Sequence, residues 1–203
     1  MKYTVKEHIK PKDLIAISNE QISDHWKLYE GYVAKVNQLN NELAELRVEG
    51  KEETLAYSDR QRRYGFEYNG MVLHEYYFEN LKANEESNPS PKLRIINKKI
   101  GKYILEAIEK YFGSFDNWKK NFINTGKMRG IGWTILYADP KTRYLINCFV
   151  GEHQDGHIAG FKPIVVMDIW EHAYMVDHKS GERLKYIEAF MKNINWDIVE
   201  KRY

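Results

Sequence analysis

Asp168 and His172 stand four residues apart in a short run that also holds Trp170, Glu171, Ala173 and Tyr174. A carboxylate and an imidazole brought together offer a hard oxygen donor and a nitrogen donor. That is half of a mixed coordination shell of the kind that suits iron, manganese or zinc. The flanking aromatic rings would keep water and bulky ligands out. Taken alone, such a pair is more often a buried ion pair capping a helix. Two further histidines, His25 and His74, lie far away in aromatic-rich stretches, His25 ahead of Tyr29 and Tyr32, His74 between Leu73 and Phe78. Either one alone reads as a core histidine. All four together amount to three imidazoles and one carboxylate, which leave a divalent ion with a net charge of about +1. A fifth position open to solvent would separate a reactive site from a closed structural one.

The remaining histidines carry weaker signals. His153 and His157 are also four apart, but they lie in and just after a glycine-bounded loop, 151–156, where helical spacing has no meaning. His8 and His178 have no evident partners. The Glu-x-x-His pairs of di-iron carboxylate bundles do not occur in the chain.

The elements that must position these side chains follow from periodicity. Ile22, Trp26, Tyr29, Val33, Val36, Leu39, Leu43 and Leu46 fall at helical spacing, which predicts a helix over 21–47. Ser18 with Gln21 has the form of a capping box at its start. A second helix is expected over 56–81, broken or bent near Asn69 and Gly70. With a short loop at 49–51 the two form an antiparallel hairpin. The polar stretch 84–92, with Pro89 and Pro91, reads as a linker. Helices are expected beyond it over 97–112 and 115–127, with Ser114 as the cap of the second. Strands over 133–138 and 144–150 flank a turn at 139–142, and a β-branched run over 163–167 leads into Asp168. A last helix is expected over 183–193. The fold class is therefore α+β: a long antiparallel α-helical hairpin (1–88), then a mixed α/β domain with a small three-stranded antiparallel sheet (89–203).

Composition excludes other classes. At 203 residues, with 30% charged and 14% aromatic side chains, the chain can bury a substantial core. A net charge of +2 and the lack of any recognition motif argue against nucleic acid, despite 15 tyrosines able to stack on bases. A single cysteine, Cys148, allows no intramolecular disulfide and no cysteine-rich metal site. No segment has the composition of a signal peptide or a membrane span, so a cytoplasmic protein is expected.

The run from Asp168 to Tyr174 resembles the signature of the iron/manganese superoxide dismutases. The resemblance extends over most of the chain from Ile17 onward. It takes in Asn69, Gly70, His74 and Tyr76 to Phe78, then Gly132, Trp133, Leu136 and Tyr137, then His153, His157, Ile158 and Ala159, and finally Asn195 to Asp197. It implies a helical hairpin domain and a mixed α/β domain with the metal between them, ligated by His25, His74, Asp168 and His172. The implied cofactor is one iron or manganese ion per subunit, iron preferred, with no organic cofactor. The implied reaction converts superoxide to dioxygen and hydrogen peroxide.

The resemblance also implies roles around the ligands. Family members place a glutamine donor at the position of Gly70 or in the loop before the signature. Glycine has no side chain, so here the donor comes from the loop, with His153 favoured over Gln154. Tyr32 resembles the gateway tyrosine over the open position. Trp133 and Trp170 match pocket aromatics, and Phe78 stands where tryptophan is usual. Arg183 resembles an arginine at the substrate funnel, where a fixed cation concentrates anions. Glu171 and His172 imply the reciprocal bridge of a homodimer, with a tetramer as the further possibility.

Three departures stand out. Six residues separate His25 from Tyr32 where the family has seven, so either the tyrosine ring is displaced or a helical bulge of relatives is absent. The gateway histidine is replaced by Leu28, and its tyrosine partner from the second subunit by Met175. The alternative these departures support is a catalytically weak metal-binding homologue with a structural or partner-binding role.

Overall fold

The computed structural model describes residues 2–83 and 102–203. The expected linker, the boundary between residues 88 and 89, and the first part of the helix expected from 97 lie outside them. Helix α1 (Asn19–Val48) and helix α2 (Leu55–Glu79) form the antiparallel hairpin. Ile22, Trp26, Tyr29, Val33, Val36, Leu39 and Leu43 make the buried stripe of α1. The Ser18 hydroxyl accepts the Gln21 amide at 2.9 Å. The other half of the expected capping box does not form. Gln21 instead donates to the His172 carbonyl at 2.7 Å and accepts the Val176 amide at 2.9 Å, bolting α1 to the turn after the sheet.

Helix α2 runs unbroken through Asn69 and Gly70, against the expected break. A helix-interior glycine costs about 1 kcal/mol relative to alanine. Here Gly70 is buried under the ring of Tyr32, and that packing outweighs the propensity.

Helices α3 (Lys102–Phe112) and α4 (Phe115–Gly126) precede the sheet. As expected, the Ser114 hydroxyl caps α4, accepting the Asn117 amide at 3.1 Å. Strands β1 (Gly132–Ala138), β2 (Leu145–Gly151) and β3 (Lys162–Asp168) follow in the spatial order β2-β1-β3, both pairings antiparallel. All seven residues of the central strand are buried. The register sets Trp133 opposite Asp168 on one side and Val150 on the other.

The outer edge of β3 would leave backbone groups unpaired. The Asn80 side chain, just past α2, accepts the Val166 amide at 2.8 Å. Arg202 donates to Asn80 Oδ1 at 3.0 Å, to the Tyr76 carbonyl at 3.2 Å and to Glu79 at 2.7 Å. The C-terminal half of α2 is thereby docked against β3, which sets His74 facing Asp168. Helix α5 (Arg183–Lys192) is not the last: α6 (Trp196–Arg202) follows it. Its Glu200 caps α3, accepting the amides of Tyr103 and Ile104 at 3.0 and 2.9 Å.

Candidate metal centre

The four residues named from sequence converge between the hairpin and the sheet. One donor atom from each of His25, His74, Asp168 and His172 lies within 4.8 Å of all the others. His25 comes from the buried face of α1, His74 from α2, Asp168 from the last position of β3, and His172 from the 3₁₀ turn Glu171–Ala173. The first three are fully buried, while the His172 side chain keeps 23% of its surface exposed.

Asp168 is the hub. Its Oδ2 lies 3.1 Å from His25 Nε2, 3.1 Å from His172 Nε2 and 3.8 Å from His74 Nε2. Its Oδ1 accepts the Trp170 amide at 2.8 Å, which fixes the carboxylate plane. The Tyr186 hydroxyl holds the Asp168 carbonyl at 2.7 Å and lies 3.2 Å from the Tyr77 hydroxyl. A carbonyl can only accept, so Tyr186 donates to it and Tyr77 donates to Tyr186.

Tautomers follow from the same logic. His74 Nδ1 is 2.6 Å from the Gly70 carbonyl, so Nδ1 carries the proton and Nε2 presents a lone pair inward. That Nε2 is buried with no hydrogen-bond partner. Burial pushes His25 below the ordinary imidazole pKa and His74 well below it. Burial alone would raise Asp168, but the charge and hydrogen bond of His172 and the hydrogen bond of His25 hold it below the ordinary carboxylate range. The centre is therefore an ionised carboxylate beside two fully buried imidazoles, His25 and His74, whose burial disfavours their charged forms. A buried anion beside an inward lone pair with no donor is the electrostatic complement of a cation. Three nitrogens and one oxygen fit iron or manganese.

A second layer lies over this cage. Tyr32 follows His25 by seven residues, nearly two helical turns, and α1 is regular α-helix throughout, without a bulge. Its ring is not displaced from the centre: it packs 5.1 Å from the His74 ring, and its hydroxyl lies 2.7 Å from His153 Nε2. Trp133 Nε1 donates to His153 Nδ1 at 3.0 Å. An indole N–H only donates, so the His153 proton sits on Nε2 and is given to the Tyr32 oxygen. The Tyr32 hydrogen is left free for another acceptor. Burial lowers His153 to about 4 and raises Tyr32 to about 12, so both stay uncharged near neutrality. The Trp170 ring stacks on His172 at 5.7 Å and lies 5.1 Å from His153.

His153, rather than Gln154, points inward: Gln154 is exposed. Arg183 donates to the carbonyls of Met128 at 3.0 Å and Gly130 at 2.9 Å, so its guanidinium braces the loop before β1. A cation unforeseen from sequence is Arg63. It lies 4.3 Å over the Phe66 ring, which in turn sits 4.6 Å from His153, and its charge reaches Tyr32 and His153. Its i to i+3 spacing from Phe66, seven residues ahead of Gly70, was the available signal. Glu171 is exposed, as are Leu28 at 39% and Met175 at 49%.

Fold and donor set together define a protein equipped to hold one metal ion between a helical hairpin and a small sheet. Residues 100–202 match the family described as iron/manganese superoxide dismutases, C-terminal domain. An iron superoxide dismutase of Aquifex pyrophilus is 36% identical over 203 residues, covering 98% of this chain and 89% of its own. One of Methanothermobacter marburgensis is 32% identical over 205 residues, covering 99% and 96%. A manganese/iron superoxide dismutase of Aeropyrum pernix is 34% identical over 142 residues, covering 70% and 62%. The chain belongs to the iron/manganese superoxide dismutase family and is an oxidoreductase of that kind. Among the described residues no helix is long and apolar enough to cross a membrane.

Proposed function

We propose that the chain dismutates superoxide at a single ion, iron in preference to manganese, ligated by His25, His74 and His172 through Nε2 and by Asp168 through Oδ2. The observation that carries this reading is the inward, unpartnered Nε2 of His74 beside the ionised Asp168. When bound, the ion supplies the redox chemistry: one superoxide gives up an electron and leaves as dioxygen, and another takes it with two protons and leaves as hydrogen peroxide.

The chain's own residues bind, exclude and move protons. Trp133, Trp170 and Phe78 exclude water from the cage. Tyr32 holds a proton at its hydroxyl, which donation from His153 leaves free to face an incoming anion. Because both groups are neutral, protons pass without a fixed charge appearing beside the cage. Arg63 is paired with Glu67 at 2.7 Å, so the two charges largely offset each other at Tyr32, and Arg183 orders the loop before β1 at the funnel.

The reading extends to a homodimer. An exposed Glu171 beside the part-exposed edge of His172 supports a reciprocal bridge across a twofold axis. Leu28, Met175 and Val176 are exposed apolar side chains, which suits burial against a second copy. With leucine and methionine in place of a polar pair, that contact leaves no polar group unpaired and carries no proton.

The test is reconstitution of the full chain with iron, manganese and zinc separately, with elemental analysis and stopped-flow superoxide decay. About one ion per chain is expected in each case, with turnover for iron, less for manganese and none for zinc. Stoichiometric iron and manganese without turnover would instead establish the structural homologue.

A further inference from the structure

His157 lies on the loop after β2, partly buried, with a partner at each ring nitrogen. Its Nε2 is 3.0 Å from the His153 carbonyl, and its Nδ1 is 2.7 Å from the Tyr137 hydroxyl. Since a carbonyl only accepts, Nε2 carries the proton, and Nδ1 accepts from Tyr137. The ring is held in one tautomer and one orientation. Tyr137 belongs to the central strand and is 2% exposed, so the anchor behind His157 is the body of the sheet. From the other side, Asn69 of α2 donates to the same carbonyl at 2.8 Å. The carbonyl of His153 is thus clamped between the hairpin and the sheet.

The loop has need of a clamp. Glu152 adopts a positive φ of 48° and Gly156 one of 99°, with the Gly156 position 2.8 Å from the Phe149 carbonyl for any Cβ. The Gly151 amide bonds the Asp155 carbonyl at 2.7 Å, closing a tight turn. Glu152, Gln154 and Asp155 are all exposed. Between the Glu152 amide, which bonds the Ile131 carbonyl at 3.1 Å, and Ile158, which packs on the core, these exposed polar side chains do not anchor the loop. Yet His153 must meet Trp133 at 3.0 Å and Tyr32 at 2.7 Å at once.

We infer that His157 is a positioning residue, which fixes the backbone of His153 through its carbonyl and so keeps the imidazole within hydrogen-bond reach of the Tyr32 hydroxyl. The inference rests on the dismutase reading above for its catalytic consequence, though not for its geometry. It accounts for a histidine that the cage and its second layer leave without a task.

The test uses the metal-loaded full chain and three variants. His157→Leu removes both hydrogen bonds at similar bulk. His157→Gln keeps one donor and one acceptor at a comparable separation. Tyr137→Phe removes only the outer bond. For His157→Leu the expected results are unchanged metal content, turnover down by at least about tenfold, and a crystal structure with His153 Nε2 beyond hydrogen-bond reach of Tyr32. His157→Gln should return to within about twofold of the unaltered chain, and Tyr137→Phe should lose about three- to fivefold, the scale of one net hydrogen bond. Should His157→Leu fail to fold, Tyr137→Phe and His157→Gln still decide the matter by their contrast. Unaltered turnover in His157→Leu, or equal loss in Leu and Gln variants with the His153–Tyr32 contact intact, would overturn the inference. If the unaltered chain loaded with iron or manganese shows no turnover, the dismutase reading fails, while the crystallographic contact still judges the positioning role.

Discussion

Replacing Gly70 with alanine puts a methyl group where the Tyr32 ring already lies. A Cβ at that position would meet Cδ1 and Cε1 of Tyr32 at 2.6 Å and Cγ at 3.1 Å. To reach the 3.4 Å at which ordinary contact begins, the ring must retreat by about 0.8 Å, the difference between 3.4 and 2.6 Å. It cannot do so freely, because the His74 ring packs against it and His153 holds its hydroxyl at 2.7 Å. Three terms set the outcome. Alanine in a helix interior stabilises by about 1 kcal/mol over glycine. Overpacking costs about 1–3 kcal/mol. Loss of the Tyr32–His153 bond, leaving a buried donor unsatisfied, costs about 1–3 kcal/mol. The balance is a destabilisation of roughly 3 kcal/mol, or a melting temperature lower by about 6–12 °C for a chain of this size. Turnover should fall by at least about tenfold, since a displacement near 1 Å in a reacting group can cost about a hundredfold. The assay is calorimetry and superoxide decay on metal-loaded protein, run also in a Tyr32→Ala background. There the same glycine substitution should become stabilising, because only the helix term remains. A Gly70→Ala protein that melts at or above the unaltered chain with full turnover would refute the close packing of Tyr32 as the reason for glycine.

Two further outcomes follow from the charges. His153 is held at about 4 when folded against about 6.5 when unfolded, so the unfolded chain binds the proton more readily between those values. Stability should therefore fall as pH drops from about 6.5 to about 4, by up to roughly 3 kcal/mol from this group. His153→Gln should lack that component, and denaturant unfolding at pH 7.5 and pH 4 would expose parallel profiles if the burial of a neutral His153 is wrongly argued. If the proposed homodimer is bridged by Glu171, Glu171→Ala should weaken it by at least about tenfold, the consequence of truncating one partner of a hydrogen-bonded interfacial pair. Sedimentation showing an equally tight dimer with full metal content would remove Glu171 from the bridge.

The convergence of the four residues was legible chiefly through the resemblance: the run around Asp168 and His172 suggests two by its chemistry, whereas His25 and His74 each read alone as core histidines. The hairpin and the strands were legible because their periodicities are long and regular. Of the break or bend expected near Gly70, the break does not occur, for a reason visible only in three dimensions: propensity argues against glycine while the ring of Tyr32 requires it. Gln21 looked like half of a capping box, yet its amide finds better partners 151 and 155 residues away. The short α6 lacks a side-chain cap and is held by tertiary contacts, among them those of Arg202. Arg183 shows the same limit: a sequence names a cation but not the carbonyls of Met128 and Gly130 that occupy it.

Two of the four candidate donors come from the helical hairpin and two from the end of β3 and the turn after it, with His25 and Asp168 143 residues apart. During synthesis, then, the four side chains cannot meet until the chain has emerged past His172 and the sheet has docked on the hairpin. An ion held by all four would act as a staple between hairpin and sheet, stabilising the fold more as free ion concentration rises, by mass action. Depletion by a chelator would accordingly be expected to loosen the union of hairpin and sheet before it melts either one.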